Sequence, residues 1–292
     1  MRYWINPLLQ KEMKVNAGLR QLLVGIVLYE LLLVVIAFFG FEMVFNIHWN
    51  PFTDYSGAVY VYLILAGLET MMVLGMVPAF AARSIAQERE KKTLEVLLTT
   101  VMSPEQVVAG KLFSAISVPM LLVAASLPVL SVVFTVGGVS KGQLVQFVAI
   151  IMWEAVFVGS IGVFLSAALR RAEQAVMMSY VASLGLCVGT AAVVAVVCLI
   201  RQLYMWNVLP GDRSPDAGWT AFVLLFNPVV TVASMLGRQL GYTGEIYGLA
   251  KHLGHVSRFI LQHWCGLSLL FQCLLAALFL WLAKRLLQNP AD

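Results

Sequence analysis

Long apolar runs separated by short polar breaks dominate the chain. Six of them, at residues 21–45, 58–82, 112–136, 144–169, 176–200 and 264–283, reach the roughly 20 residues that a helix needs to cross about 30 Å of hydrocarbon. Each is expected to span a membrane. A seventh stretch, 219–237 (WTAFVLLFNPVVTVASMLG), is apolar but broken at Asn227-Pro228. It is expected to form a hairpin or a pair of short helices that dips in from the outer face and is sheltered by neighbouring spans, because an interrupted backbone cannot satisfy its polar groups against lipid. Ahead of the first run, Ile5, Leu8, Leu9 and Met13 form a stripe opposed by Gln10, Lys11 and Lys14, the pattern of a short helix lying in the membrane interface.

Between the second and third runs stands a polar island, 83–111, with Arg83, Glu88, Arg89, Glu90, Lys91, Lys92 and Glu95 crowded at its start; the apolar runs on either side carry a single charge, Glu69. Read as one helix, Leu94, Leu97, Leu98 and Val101 fall at i, i+3, i+4 and i+7, while Glu88, Lys91, Lys92 and Glu95 occupy the other faces. That is an amphipathic docking helix. Ser103-Pro104-Glu105-Gln106 then marks a new helix start, with Ser103 as cap, Pro104 at the first helical position and Gln106 at capping-box spacing. Pro119, Pro128, Gly159 and Gly162 imply kinks or close backbone approach, and Gly185 with Gly189 makes a small-residue packing pair in the fifth run.

The composition agrees: 61% of the 292 residues are hydrophobic and 12% charged, with a mean hydropathy of +0.88, far outside the range of soluble domains. The first run is too long for a signal-peptide core and is read as a retained helix. Lys and Arg cluster at the amino terminus, in the island, at Arg170 and Arg171, and at Lys284 and Arg285. The positive-inside rule therefore puts both termini and the island in the cytoplasm, with the connection 201–262 outside. The net charge of +4 is accounted for by these flanks. No basic patch interleaved with aromatics calls for a nucleic-acid partner.

Recognisable catalytic chemistry is absent from the sequence. There is no GxxxxGK[ST] loop to cradle phosphates, and no GxSxG, HExxH or intramembrane Asp pair. The four cysteines form no CxxC pair and read as packing residues. His252 and His255, with Glu245 and His263, read as polar surface, so no metal is expected. Three carboxylates, Glu30, Glu69 and Glu154, lie deep in apolar runs, where ionisable groups are functional candidates. They support a rival reading as a proton-coupled secondary transporter, although no basic residue stands mid-span to pair with them.

Glu88-Arg89-Glu90, Thr93-Leu94-Glu95, Leu97-Leu98, Thr99-Thr100, Ser103-Pro104 and Gly110-Lys111, in this order between the second and third spans, resemble the permease subunits of ABC-2 type exporters, whose architecture is called type V. Asn6-Pro7 with Lys11-Glu12, and Asn227-Pro228 before the last span, add secondary matches. The resemblance implies an all-α integral membrane protein with six transmembrane helices in a single permease domain, 1–292. It implies an N-terminal interfacial helix at 1–20, a cytoplasmic coupling helix within 83–111, and re-entrant outer helices within 201–262. It further implies that the chain is not itself an enzyme. A separate ABC ATPase subunit would bind ATP and Mg, a second permease, identical or related, would complete the unit, and the setting would be the lipid bilayer of the cell's inner (cytoplasmic) membrane. Glu88, Arg89 and Glu95 would make polar contacts with the ATPase, Glu90 and Thr93 would belong to the same partner-binding segment, and Leu94, Leu97 and Leu98 would pack against the ATPase or against the membrane-side helices, while Glu30, Glu69, Glu154, Asn227 and Pro228 are candidates for the translocation path. The sequence departs from the pattern at Lys91-Lys92, where a glycine often precedes the Thr-Leu-Glu core, and at Val101-Met102, where a proline is common.

Overall fold

The computed structural model describes residues 19–47, 56–94, 103–135, 140–207, 217–239, 241, 253 and 256–288. The expected interfacial segment, apart from its last two residues, lies outside these, as do Glu95, Leu97, Leu98, Glu245, His252 and His255. Among the described residues the fold is helical throughout. The long helices are α1 (Leu19–Ile47), α2 (Ser56–Glu90), α3 (Pro104–Thr135) and α4 (Lys141–Ala168). Next, α5 (Ala172–Leu184) runs through a π-helical turn (Gly185–Gly189) into α6 (Thr190–Asn207). A 3-10 turn (Gly218–Thr220), α7 (Ala221–Leu224), α8 (Pro228–Gln239) and α9 (Arg258–Gln262) lead to α10 (Trp264–Gln288). Six helices, with α5 and α6 counted as one, are long and apolar enough to cross a membrane. Each apolar run of the sequence therefore has its helix, and α2 continues well past the run's end at residue 82.

Helix starts follow local chemistry. Ser103 and Gln106 form the expected capping box, each backbone N–H donating to the other's side chain. Ser140 and Gln143 form a second at the start of α4, and the spacing that announced the first also marks this one.

The chain divides into two compact units, residues 1–179 with 279–292, and residues 180–278. In the first, α2 and α4 approach closely because α4 has glycine where they meet. A Cβ added at Gly162 would lie 2.6 Å from Ala81 Cβ and 3.3 Å from the Ala82 nitrogen, and one at Gly159 would lie 3.4 Å from Val77 Cγ1 of α2 and 2.8 Å from Leu112 Cδ1 of α3. At this crossing Ser166 Oγ accepts from the backbone N–H groups of Ile85 and Ala86, both at 2.9 Å. Ala81 O, the carbonyl that Ile85 would address in a regular ladder, accepts from Ser84 Oγ. Higher up, Tyr62 and Phe147 meet edge to face at 6.1 Å. By contrast α1 exposes Leu23, Val27, Leu28, Leu31, Phe38 and Phe39, a surface suited to lipid.

The second unit is built around Val194, Ala221, Leu224, Leu225, Leu253 and Trp264. The segment Gly218–Leu224 bends by 100° into Pro228–Gln239. Gly185 and Gly189 bound the π-helical turn, and among the described residues of this chain a Cβ on either would meet nothing within 4 Å, so the expected packing pair has no neighbour within this chain.

Candidate functional site

The charges of the polar island begin on α2 itself. Arg83, Glu88, Arg89 and Glu90 occupy its last turns, and the helix then stops with Lys92 at φ 55°. The N–H of Thr93 reaches back to Glu88 O at 2.9 Å and that of Lys92 to Arg89 O at 3.0 Å, the paired 6→1 and 5→2 bonds of a Schellman stop. The continuous helix expected from Glu88 through Val101 is therefore not formed. A left-handed residue at position 92 separates Glu88, Arg89 and Glu90 from the Leu94 stripe. Position 92 lies in the stretch where the family pattern places glycine, which takes this conformation without a Cβ clash.

Each of the three consecutive charges holds a different neighbour. Glu88 Oε1 pairs with Lys111 Nζ of α3 at 2.5 Å, and the lysine side chain is only 3% exposed. Arg89 donates through Nη1 to Leu169 O at 3.2 Å and through Nη2 to Ala167 O at 3.0 Å, so its guanidinium covers the carbonyl end of α4. Glu90 Oε1 accepts from the N–H of Ala172 at 2.8 Å, the first residue of α5. Beneath them Ala82, Ala86 and Ala175 are buried together with Leu169, Ala172 and Val176 packed around them. Lys91, Lys92 and Thr93 are exposed, whereas Leu94 is buried. Sequence reasoning missed Lys111 as the partner of Glu88. The available signal was a lysine at the threshold of an apolar helix, since a buried ammonium requires a carboxylate.

Two further placements bear on topology and path. Glu105, in the first turn of α3, pairs with Lys284 near the end of α10, so these two helix ends lie together within the first unit. Within the spans, Glu69 is fully buried and accepts from Ser126 Oγ at 2.5 Å. Glu30 on α1 is half-buried, and Glu154 on α4 is buried. Among the described residues no group of His, Cys, Asp and Glu has metal-holding geometry.

In the second unit Asn227 occupies the bend. Its Nδ2 donates to Cys187 O at 2.7 Å and to Thr190 Oγ1 at 2.8 Å, while its Oδ1 accepts from the N–H of Val230 at 3.1 Å. Asn227 thus caps α8 and ties the bend to the π-helical turn. Thr231 Oγ1 bonds Ser268 Oγ at 2.6 Å and accepts from Gln272 Nε2 at 3.0 Å, and Ser268 Oγ donates to Leu225 O at 2.6 Å. All of these groups are buried. Pro228 opens α8, the first helical position where its missing N–H costs nothing.

Residues 42–284 match the model of a family described as ABC-2 family transporter protein. No curated protein matches the chain.

Proposed function

This chain belongs to the ABC-2 family of transporter proteins, and from that premise we propose that it is the membrane-spanning permease subunit of a type V ATP-driven exporter. A separate ABC ATPase binds ATP with Mg, and two permeases, identical or related, form the path. The observation that carries this reading is the end of α2. The helix continues out of the apolar region to Glu90, past Pro78 and the Ser166 contact at Ile85 and Ala86, and a defined stop there leads the chain into the segment from Thr93 to residue 102. A displacement imposed on that segment acts directly on the end of a spanning helix. ATP drives the cycle only if the ATPase contacts differ between its closed and open states.

In this proposal the segment carrying Thr93, Leu94, Glu95, Leu97 and Leu98 docks on the ATPase, the residues ahead of α1 lie in the interface, and the charged ends face the cytoplasm of the inner membrane. The Glu105–Lys284 pair supports an even number of crossings. With α10 ending where α3 begins, the connection between α6 and α10 starts and ends on the opposite side. The bend at Asn227-Pro228 then enters and leaves by the same face, and Asn227 and Pro228 shape the outer end of the path.

Co-purification from the native membrane tests the reading. An ATP-binding protein recovered one-to-one, and lost with Glu95→Lys or with Leu97 and Leu98 changed to Asp, is the expected result. Recovery without any ATPase overturns it. The buried pair Glu69 and Ser126 favours the proton-coupled reading as the second choice, and unchanged transport with Glu30, Glu69 and Glu154 all replaced by Gln eliminates that reading.

A further inference from the structure

We infer that Glu88, Arg89 and Glu90 are not ATPase contacts but internal positioning residues, a clasp that makes the ends of α2, α3, α4 and α5 move with the coupling segment. The inference rests on the permease reading above and deepens it by dividing the charged motif into a transmitting half and a docking half.

The geometry assigns each charge the helix end it suits. An α-helix leaves its last carbonyls without partners and carries partial negative charge there, and its first N–H groups carry partial positive charge. Arg89 supplies two donors to the final carbonyls of α4. Glu90 supplies an acceptor to the first N–H of α5. The turn at 169–171 is thereby gripped from both sides by adjacent residues of one helix, with charge-assisted bonds, which are stronger than neutral ones. Glu88 fixes the same end of α2 to α3 through a buried lysine.

One turn below, Ser166 Oγ accepts from Ile85 and Ala86, and Gly162 lets the backbones close together. The α2 end therefore cannot shift without carrying the α4–α5 turn and the start of α3. Of the charges around the stop, Lys91 and Lys92 are exposed and follow the clasp, so the surface left for the ATPase begins there and runs on through Thr93 to the segment beyond.

Glu90 allows a clean test because it is exposed and its role here is as an acceptor. Glu90→Gln keeps that oxygen, whereas Glu90→Ala removes it. Each variant, with Arg89→Ala, is purified as the full chain in lipid nanodiscs with its ATPase. Two quantities are read: the ATPase retained per permease, and the rate of ATP hydrolysis by the complex relative to the free ATPase.

Glu90→Ala and Arg89→Ala are expected to retain the ATPase within about twofold while shifting the rate ratio toward that of free ATPase by roughly fivefold or more, the low end of inter-site coupling. Glu90→Gln, which keeps the acceptor and loses only the charge assistance, is expected to retain the ATPase as the native chain does and to stay within about twofold of it in the rate ratio. If Glu90→Gln shifts the rate ratio as far as Glu90→Ala does, or if either alanine variant sheds the ATPase, the charges are partner contacts and the inference is overturned. Alanine variants indistinguishable from the native chain overturn it as well. If Arg89→Ala fails to fold, the Glu90 pair decides alone. A native chain that retains no ATPase defeats the function proposed above and takes the transmission role with it, a result separate from all the others.

Discussion

Replacing Gly162 with alanine puts a methyl group 2.6 Å from Ala81 Cβ, about 1 Å inside the roughly 3.5–4.0 Å at which two carbons pack best. Ala81 has no rotamer to change, and the next atom met, the Ala82 nitrogen at 3.3 Å, is backbone, so α2 and α4 themselves must separate. Overpacking of this kind costs about 1–3 kcal/mol. The same separation lengthens the two 2.9 Å bonds to Ser166, each of which contributes about 1 kcal/mol. Alanine recovers about 0.5–1 kcal/mol of helix propensity. The net loss is therefore about 2–3 kcal/mol, because overpacking and bond stretching share one displacement and do not add fully. Denaturant unfolding in mixed micelles measures it. Gly142→Ala, where the added Cβ meets nothing within 4 Å, serves as control and is expected to be neutral or slightly stabilising. A Gly162→Ala midpoint as high as that of Gly142→Ala refutes the close approach of α2 and α4.

Three other outcomes are expected. Lys92→Gly removes the left-handed penalty at φ 55° and raises stability by about 0.5–1 kcal/mol, whereas Lys92→Val lowers it; thermal melting of the two variants gives the order. Asn227→Ala loses the cap on Val230 and both donated bonds and lowers stability by about 2–4 kcal/mol, while Thr190→Val, which removes the acceptor for Asn227 and the donor to Leu186 O, costs about 1–2 kcal/mol in the same melts. With the native cysteines replaced by Ala, Glu105→Cys and Lys284→Cys are expected to be labelled from the same face of the membrane by an impermeant maleimide, as the Glu105–Lys284 pair requires; labelling from opposite faces refutes the even number of crossings.

The spans were legible because lipid imposes one demand, a long apolar run with its backbone bonded internally, and every such run became a helix. The restart at Ser103 was equally legible, since a capping box is a local bond between residues three apart. The end of α2 was not. The apolar stripe at Leu94, Leu97, Leu98 and Val101 continues the periodicity across Lys91-Lys92, and a left-handed residue is announced in sequence only when glycine or asparagine supplies it; here lysine does. The neighbours held by Glu88, Arg89 and Glu90 were hidden for a different reason. Their partners lie 23, 78 to 80 and 82 residues away, and no local pattern records such a distance. Charge at a membrane boundary reads as solvation or partner contact until the fold supplies a helix end for it.

The second unit extends the same physics into the apolar region. A π-helical turn and a 100° bend are each irregular backbone, and each leaves polar groups that lipid cannot satisfy. They are joined by one side chain: Asn227 reaches from the bend to Cys187 O in the turn and to Thr190 just beyond it, and turns its remaining oxygen to its own helix. Asn227 is thus the residue that makes the two irregularities mutually tolerable, which is a stronger reason for an asparagine before the proline than turn propensity alone. If the bend lies at the outer end of a translocation path, a rearrangement that opens it must break these bonds or move the turn with it. Because a buried donor left unpaired is costly, the second course is favoured, and α5–α6 and the bend are expected to shift together during transport.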